Sequence, residues 1–121
     1  MLNKELEFNF HDSVVVNCFS ETPDRLSITV QLYEIFYPSK DLILLTFSGI
    51  YNTEKTLRLI NQMNEDSLEL DWNGTRVNSI AYDKKKISSA SDLYLFIDFD
   101  GYESIRIHCK DLQIIKTSNI L

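Results

Sequence analysis

The stretch that decides the fold is Asp92–Lys110, which reads DLYLFIDFDGYESIRIHCK. Apolar residues alternate with other residues on both sides of Asp100-Gly101, and alternation interrupted by Asp-Gly is a strong β-hairpin signal. A two-residue loop would place the two apolar sets on opposite faces, whereas a three-residue loop pairs Leu95 with Ile105 and places both sets on one face. Because one face has to be buried, we predict the three-residue loop, with Gly101 in the left-handed conformation.

Alternation of the same kind predicts strands through most of the chain. The predicted strands cover residues 14–19, 26–32, 42–51, 68–72, about 75–82 and 112–115. Asn73-Gly74 is expected to form a two-residue type I′ turn between two of these strands. Glu34–Tyr37 is expected to continue a strand beyond a kink, and residues 1–9 to pair weakly or to lie across a sheet edge.

One segment has the apolar spacing of a helix. Residues 53–64 (TEKTLRLINQMN) place apolar side chains on one helical face, and Asn52 or Thr53 can cap the start. The predicted fold class is therefore α+β and predominantly antiparallel β, with seven or eight strands in consecutive hairpins and one helix near residues 53–64. A sandwich, a roll and a half-barrel all satisfy this pattern. At 121 residues the chain is expected to form a single β-rich domain over residues 1–121.

The charge balance limits the classes of partner. The formal net charge is −6, from 18 acidic and 12 basic residues. Nucleic acids and anionic membranes are bound by basic surfaces, so this balance argues against both and is compatible with a basic protein partner. Solubility is the alternative explanation of the charge. No apolar run reaches the about 20 residues of a membrane span, and the charges in MLNKELEFNF argue against a signal peptide, so a cytoplasmic location is expected.

The residues that could bind a metal or form a disulfide are few. Cys18 and Cys109 lie in alternating runs and are expected to be buried thiols, with a disulfide as the alternative. The absence of a Cys-x-x-Cys motif and the presence of only two histidines leave too few ligands for a zinc site. Asp98–Gly101 matches part of a calcium loop, but the turn itself explains the motif. No metal and no cofactor are predicted.

The only sequence with the letters of a catalytic triad is His11-Asp12-Ser13. Triad members meet from distant parts of a fold, and consecutive strand residues point to opposite faces, so no catalytic residue is predicted. Asp12 or Ser13 is instead expected to bond to nearby backbone at the entry to the first strand. The polar connection over residues 83–91, with its three lysines, is expected to be a mobile, solvated loop.

Two stretches are candidates for binding a partner protein. The densest acidic run lies between Arg58 and Arg76, with no basic residue between these two. Its Glu69 and Asp71 are expected to share the outward face of a strand. The outer face of the Asp92–Lys110 hairpin carries aromatic and charged side chains, as protein interfaces do. A solvated strand face and a covering layer of the same domain are the alternatives. The predicted partner-binding residues are Glu65, Asp66, Glu69, Asp71, Tyr94, Phe96, Asp98, Tyr102 and Glu103.

The segment Phe10-His11-Asp12-Ser13 leading into a strand, with the small size, the acidity and the antiparallel strands, resembles immunity proteins of bacterial contact-dependent inhibition and other polymorphic toxin systems. The likeness covers the general layout of the whole chain and four residues of motif. It implies a non-catalytic inhibitor that binds a basic toxin domain and occludes its active site. It carries over no individual functional residue. The alternatives are a small-ligand or enzymatic domain with its site between helix and sheet, and a structural subunit that pairs through an edge strand.

Overall fold

The computed structural model describes residues 6–69 and 75–117, with the backbone alone at residues 64 and 66–69. Its strands form one sheet in the order β6-β5-β4-β1-β2-β3-β7, and every pair of neighbours is antiparallel. The predicted α+β class, predominantly antiparallel β, is confirmed. The elements in chain order are β1 (Ser13–Thr22), β2 (Arg25–Gln31), β3 (Leu42–Ser48), α1 (Thr53–Glu69), β4 (Arg76–Tyr82), β5 (Leu93–Phe99), β6 (Ile105–Cys109) and β7 (Asp111–Thr117).

Burial along β5 shows how the alternating sequence builds the core. Residues from Leu93 to Phe99 are buried and half-buried in turn, because successive strand side chains point to opposite faces. The helix α1 adds Ile60 and Met63 to the same core and contacts β1 and β6. The largest fully buried side chains come from both halves of the sheet and from α1: Phe47, Phe99, Leu26, Ile28, Leu32, Ile43, Leu45, Met63, Leu95, Ile97, Ile107 and Val15.

The two ends of the sheet meet at Lys110. The strands β6 and β7 lie at opposite ends of the strand order, yet this single residue separates them in the chain. The sheet is therefore strongly curved, so that its two end strands approach each other at Lys110. The Lys110 N–H donates to the carbonyls of Ser48 and Gly49 at 3.1 and 3.2 Å, so that β7 continues directly along β3.

The outer edge of β6 is covered by Asn52, which the sequence suggested as a helix cap. Its side-chain amide donates to the Arg106 carbonyl at 2.5 Å, and its Oδ1 accepts the His108 N–H at 3.0 Å. The Tyr51 N–H donates to the His108 carbonyl at 2.8 Å. The Asn52 cap prediction is therefore wrong, because this amide pairs with the edge of β6 as a peptide group would. An edge satisfied in this way offers fewer groups to another strand.

The register of the Asp92–Lys110 hairpin differs from the predicted one. The strands pair Leu95 with Ile107, so the predicted pairing of Leu95 with Ile105 is wrong by two residues. The loop runs over residues 100–104. It is longer than predicted because Asp100 still donates its N–H to the Arg76 carbonyl of β4 at 2.8 Å, so the chain turns towards β6 only after Asp100. A shift of two keeps every side chain on its face. Gly101 has a φ of +85°, which confirms its left-handed conformation.

The helix α1 is longer than predicted and ends at Glu69. Leu68 and Glu69 are helical, so the predicted strand over residues 68–72 is wrong at its start. Its remaining residues and the Asn73-Gly74 turn lie outside the residues that the structure describes. Five alternating residues fit the end of a helix as well as a short strand, because both periods return to the same face after four positions.

The segment between β2 and β3 is a turn. The Tyr33 carbonyl accepts the N–H groups of Phe36 and Tyr37 at 3.1 and 2.9 Å, so the predicted strand continuation over Glu34–Tyr37 is wrong. These local bonds occupy the backbone groups that a strand would direct at a neighbour. The turn leaves the side chain of Ile35 67% exposed.

Lys40, in the same connection, has a φ of +53°, a conformation that disfavours any residue with a Cβ. We expect Lys40→Gly to raise the free energy of unfolding by about 1 kcal/mol, measured by urea unfolding. Lys40→Ala is the control, because it loses the same side chain and its 3.6 Å pair with Glu34 but keeps the Cβ. Equal stability of the two variants would contradict the prediction.

Candidate protein-binding surface

The predicted acidic run falls at the end of α1. Glu65 is exposed, and the backbone of Asp66 and Glu69 belongs to the same helix. The expectation that Glu69 shares a strand face with Asp71 is wrong, because Glu69 is helical, while Asp71 lies outside the described residues. Positions 65 and 69 are four apart and therefore one turn apart along α1.

The other predicted residues belong to the hairpin. Tyr94, Phe96 and Asp98 are half-buried on the outer face of β5, as the alternation predicts. Tyr102 and Glu103 lie in the loop between β5 and β6, where Tyr102 packs against the core and Glu103 is exposed. The predicted set is thus divided between the end of α1, the outer face of β5 and this loop.

An ordered aromatic cluster lies on the outer face of β5 and β6. The His108 ring is stacked on the Tyr94 ring and tilted against the Tyr51 ring, with a distance of 4.3 Å between centroids in each pair. Its Nε2 is 3.0 Å from Oδ1 of Asp92. We name these four residues the His108 stack. The imidazole contacts two aromatic rings and one of its nitrogens contacts a carboxylate, so the stack presents an ordered aromatic surface.

The connection between β4 and β5 is anchored at Asp83 and Ser88, and its three lysines are exposed, as the prediction of a solvated loop expects; its mobility stays a prediction. The Asp83 side chain is only 7% exposed and accepts bonds from Arg106 Nε at 3.0 Å and from the Lys85 N–H at 2.9 Å. The buried Ser88 hydroxyl accepts the Tyr94 N–H at 3.0 Å. Two donors compensate the cost of burying the carboxylate, and they fix the loop beside the His108 stack.

A cavity of about 420 Å³ separates the first turns of α1 from β6 and the loop before it. Lys55 and Arg58 line it from the helix, and Arg106 and Glu103 line it from the hairpin. This is where the small-ligand alternative would have its site, and two of its three cationic groups are already paired, Arg58 with Glu54 at 3.6 Å and Arg106 with Asp83 at 3.0 Å.

The other motifs have structural roles. The Ser13 hydroxyl is buried and donates to the Phe10 carbonyl at 2.7 Å, which confirms the expected bond to nearby backbone. Cys18 and Cys109 are free and buried, as predicted. Burial raises the pKa of Cys18 to about 12 and that of Cys109 to about 11, so both are protonated thiols at neutral pH.

Sequence reasoning missed the parts of this surface that depend on the register. The predicted register would have paired Tyr94 with Arg106, whereas the structure pairs Tyr94 with His108. The stack follows from that correct pairing, since cross-strand neighbours on one face are in contact. The contributions of Tyr51 and Asp83 come from other segments, and no local pattern marks them.

Comparison with known proteins adds no family. No family model matches the chain, nor does any curated protein or solved structure. Within residues 6–69 and 75–117, no helix is long and apolar enough to cross a membrane. The same part of the chain contains no group of three or more His, Cys, Asp or Glu side chains placed to hold a metal ion.

Proposed function

We propose that this protein is a non-catalytic binding protein that recognises a basic protein domain, in the manner of an immunity protein that neutralises a bacterial toxin by occluding its active site. The net charge of −6 supports a cationic partner. The layout that resembles immunity proteins supports a toxin as that partner. The observation that carries the proposal is the position of the acidic residues at the end of α1.

That position is unfavourable for the helix itself. Asp66 and Glu69 lie in the last turn of α1 and Glu65 just before it, and the last turn contains no basic residue. The C-terminal end of a helix carries partial negative charge, so a carboxylate there costs stability by about 0.3–1 kcal/mol. These carboxylates oppose folding and have no basic neighbour in sequence. Their presence is explained if a cationic partner neutralises them. The end of α1 is therefore the proposed contact surface.

A pair of single variants tests whether the acidic end opposes folding. We expect Glu69→Gln to raise the free energy of unfolding by about 0.5 kcal/mol, because it removes negative charge from the negative end of the helix. Glu54→Gln makes the same chemical change in the first turn, where Glu54 pairs with Arg58 at 3.6 Å, and is expected to lower stability by about as much. Urea unfolding at low ionic strength measures both. A loss of stability in Glu69→Gln would remove the physical basis of the proposal.

Binding is tested with the protein encoded immediately upstream in the native genome, purified as an isolated domain. We expect a stable complex without turnover, with an association rate that falls as salt rises. The triple variant Glu65→Gln, Asp66→Asn, Glu69→Gln should slow association about tenfold at low salt, while Glu54→Gln leaves it near the wild-type rate. Equal rates for the triple variant and wild type would discard the end of α1 as the contact surface. Chemical modification or cleavage of the partner by this protein, with turnover, would overturn the proposed binding function.

A further inference from the structure

One edge of β4 is open along most of its length. The strand β1 pairs with it at Ser13–Val77 and at one neighbouring position, and β4 then continues to Tyr82 with no strand on that side among those the structure describes. The chain before β1 leaves the edge at a turn in which the Ser13 N–H donates to the Phe10 carbonyl at 3.0 Å. Asp12, in that turn, has a φ of +60°. The left-handed residue ends the ladder and diverts the chain from β4.

The pairing of β4 with β5 shows which backbone groups face this open edge. The Asp83 N–H donates to the Tyr94 carbonyl at 2.8 Å, so this residue and those two and four positions before it direct their backbone groups at β5. Ile80 and Tyr82 lie between them and direct their N–H and C=O groups the other way. Two donors and two acceptors therefore stand along the open edge in the spacing of a strand.

A groove of about 830 Å³ runs beside these groups. Residues 6–10 form its far wall, so the described part of the N-terminal segment does lie along a sheet edge. The Phe8 ring makes edge contacts with Phe10 at 6.2 Å and with Tyr37 at 6.3 Å, and the Asn9 N–H donates to the Tyr37 hydroxyl at 2.9 Å. The wall is thus aromatic and fixed by its own contacts, which keeps the groove open.

On the outer face, the side chains of β4 next to the open edge are small, and an acidic side chain follows on β5. Ser79 pairs with Asp98 and Ala81 with Phe96, so each pair lies side by side on that face. A long side chain on a strand added to the edge can extend over the small Ser79 and Ala81 to the Asp98 carboxylate. The Phe96 ring already holds a guanidinium, that of Arg106, at 5.5 Å. The Asp98 carboxylate, rather than the Phe96 ring that Arg106 already occupies, favours a cationic residue at this position.

We infer that the open edge of β4 receives an extended strand of a partner protein, with an arginine or lysine above Ser79 reaching Asp98 and apolar residues facing the aromatic wall. The backbone groups of Ile80 and Tyr82 supply the hydrogen bonds of strand addition, and the two faces of the groove supply its selectivity. The open edge of β4 is separate from the end of α1. It is expected to bind the added strand whether or not the end of α1 binds a partner.

The probe is a capped peptide of sequence TIRITVT, with TIEITVT as the charge-reversed control. We expect millimolar TIRITVT to slow hydrogen exchange of the Ile80 and Tyr82 amides, while the amides at 79 and 81, already bonded to β5, change little. TIEITVT should bind about tenfold more weakly. Slow exchange of the Ile80 and Tyr82 amides in the free protein would show that the chain fills the edge itself, and it would overturn the inference.

Three variants locate the site without involving α1. Asp98→Asn should remove the preference for TIRITVT over TIEITVT, because the charge that selects the cation is gone. Tyr82→Pro removes an outward N–H and should abolish binding, whereas Tyr82→Thr keeps the N–H and should weaken binding about threefold at most. Equal peptide affinity in Tyr82→Pro and Tyr82→Thr, or an unchanged preference in Asp98→Asn, would overturn strand addition. The triple variant of the α1 end should bind the peptide as the wild type does.

Discussion

Gly49→Ala is expected to lower the free energy of unfolding by about 3 kcal/mol, because Gly49 lies where the two ends of the sheet meet. Its φ of +64° costs a residue with a Cβ about 1 kcal/mol. An added Cβ would also lie 2.8 Å from Cβ of Lys110, and relief of such a contact by backbone movement costs about 2 kcal/mol more. Chemical unfolding of the purified variant measures the sum.

Gly101→Ala separates these two causes. Gly101 also has a positive φ, of +85°, but an added Cβ there meets nothing within 4 Å, so we expect a loss of only about 1 kcal/mol. Adding Lys110→Gly to Gly49→Ala should recover part of the larger loss, because the double variant lacks the atoms in contact. If the two alanine variants lose equal stability, the close approach at Lys110 does not limit the fold.

Raising the pH above about 9 is expected to destabilise the protein through its cysteines. Burial raises the pKa of Cys18 from 9.0 to about 12, so the folded state favours the thiol. The stabilisation is complete below the unfolded pKa near 9 and is lost as the pH rises towards the folded pKa. At about pH 11 the loss from Cys18 is about 3 kcal/mol. Cys109, whose pKa rises from 9.0 to about 11, adds to the loss.

The double variant Cys18→Ala, Cys109→Ala is the control for this pH dependence. Burial and the neighbouring Cys109 both raise the pKa of Tyr82, so the difference between the two stability curves reports the thiols together with this coupling. We expect the wild type to lose stability more steeply than the variant between about pH 9 and pH 11. Parallel curves over that interval would show that the thiols ionise as readily in the folded state as in the unfolded state, which contradicts the prediction.

The faces of the strands could be predicted from the sequence because period two is a local property. Leu93, Leu95, Ile97 and Phe99 of β5 are buried, and the residues between them are half-buried on the outer face, as the alternation indicates. The error in the hairpin register left these faces intact, since a shift of two positions restores the same parity. Tyr94, Phe96 and Asp98 could therefore be placed on the outer face without knowledge of the partner strand.

The rest depends on contacts between distant segments, which a local pattern does not contain. A polar residue before a helical run is a common cap, so the sequence predicts Asn52 or Thr53 as the cap of α1, but the edge strand β6, 54 positions later, uses the Asn52 amide. The sequence places Asp83 at the start of a solvated loop, and only the fold brings the Arg106 guanidinium to its carboxylate. The open edge of β4 follows from a single left-handed residue, Asp12, whose conformation no spacing rule predicts.

The junction at Lys110 also decides when the protein can fold on the ribosome. The neighbour of β3 on one side is β7, and the Thr117 hydroxyl donates to the Leu42 carbonyl across 75 positions of chain. Until residues 111–117 have been synthesised, the nascent chain carries β3 with one side unpaired, which invites association with other chains. Pairing across such a separation is slow. Completion of the native state therefore waits for these residues, and the nascent chain is a candidate for protection by chaperones in the meantime.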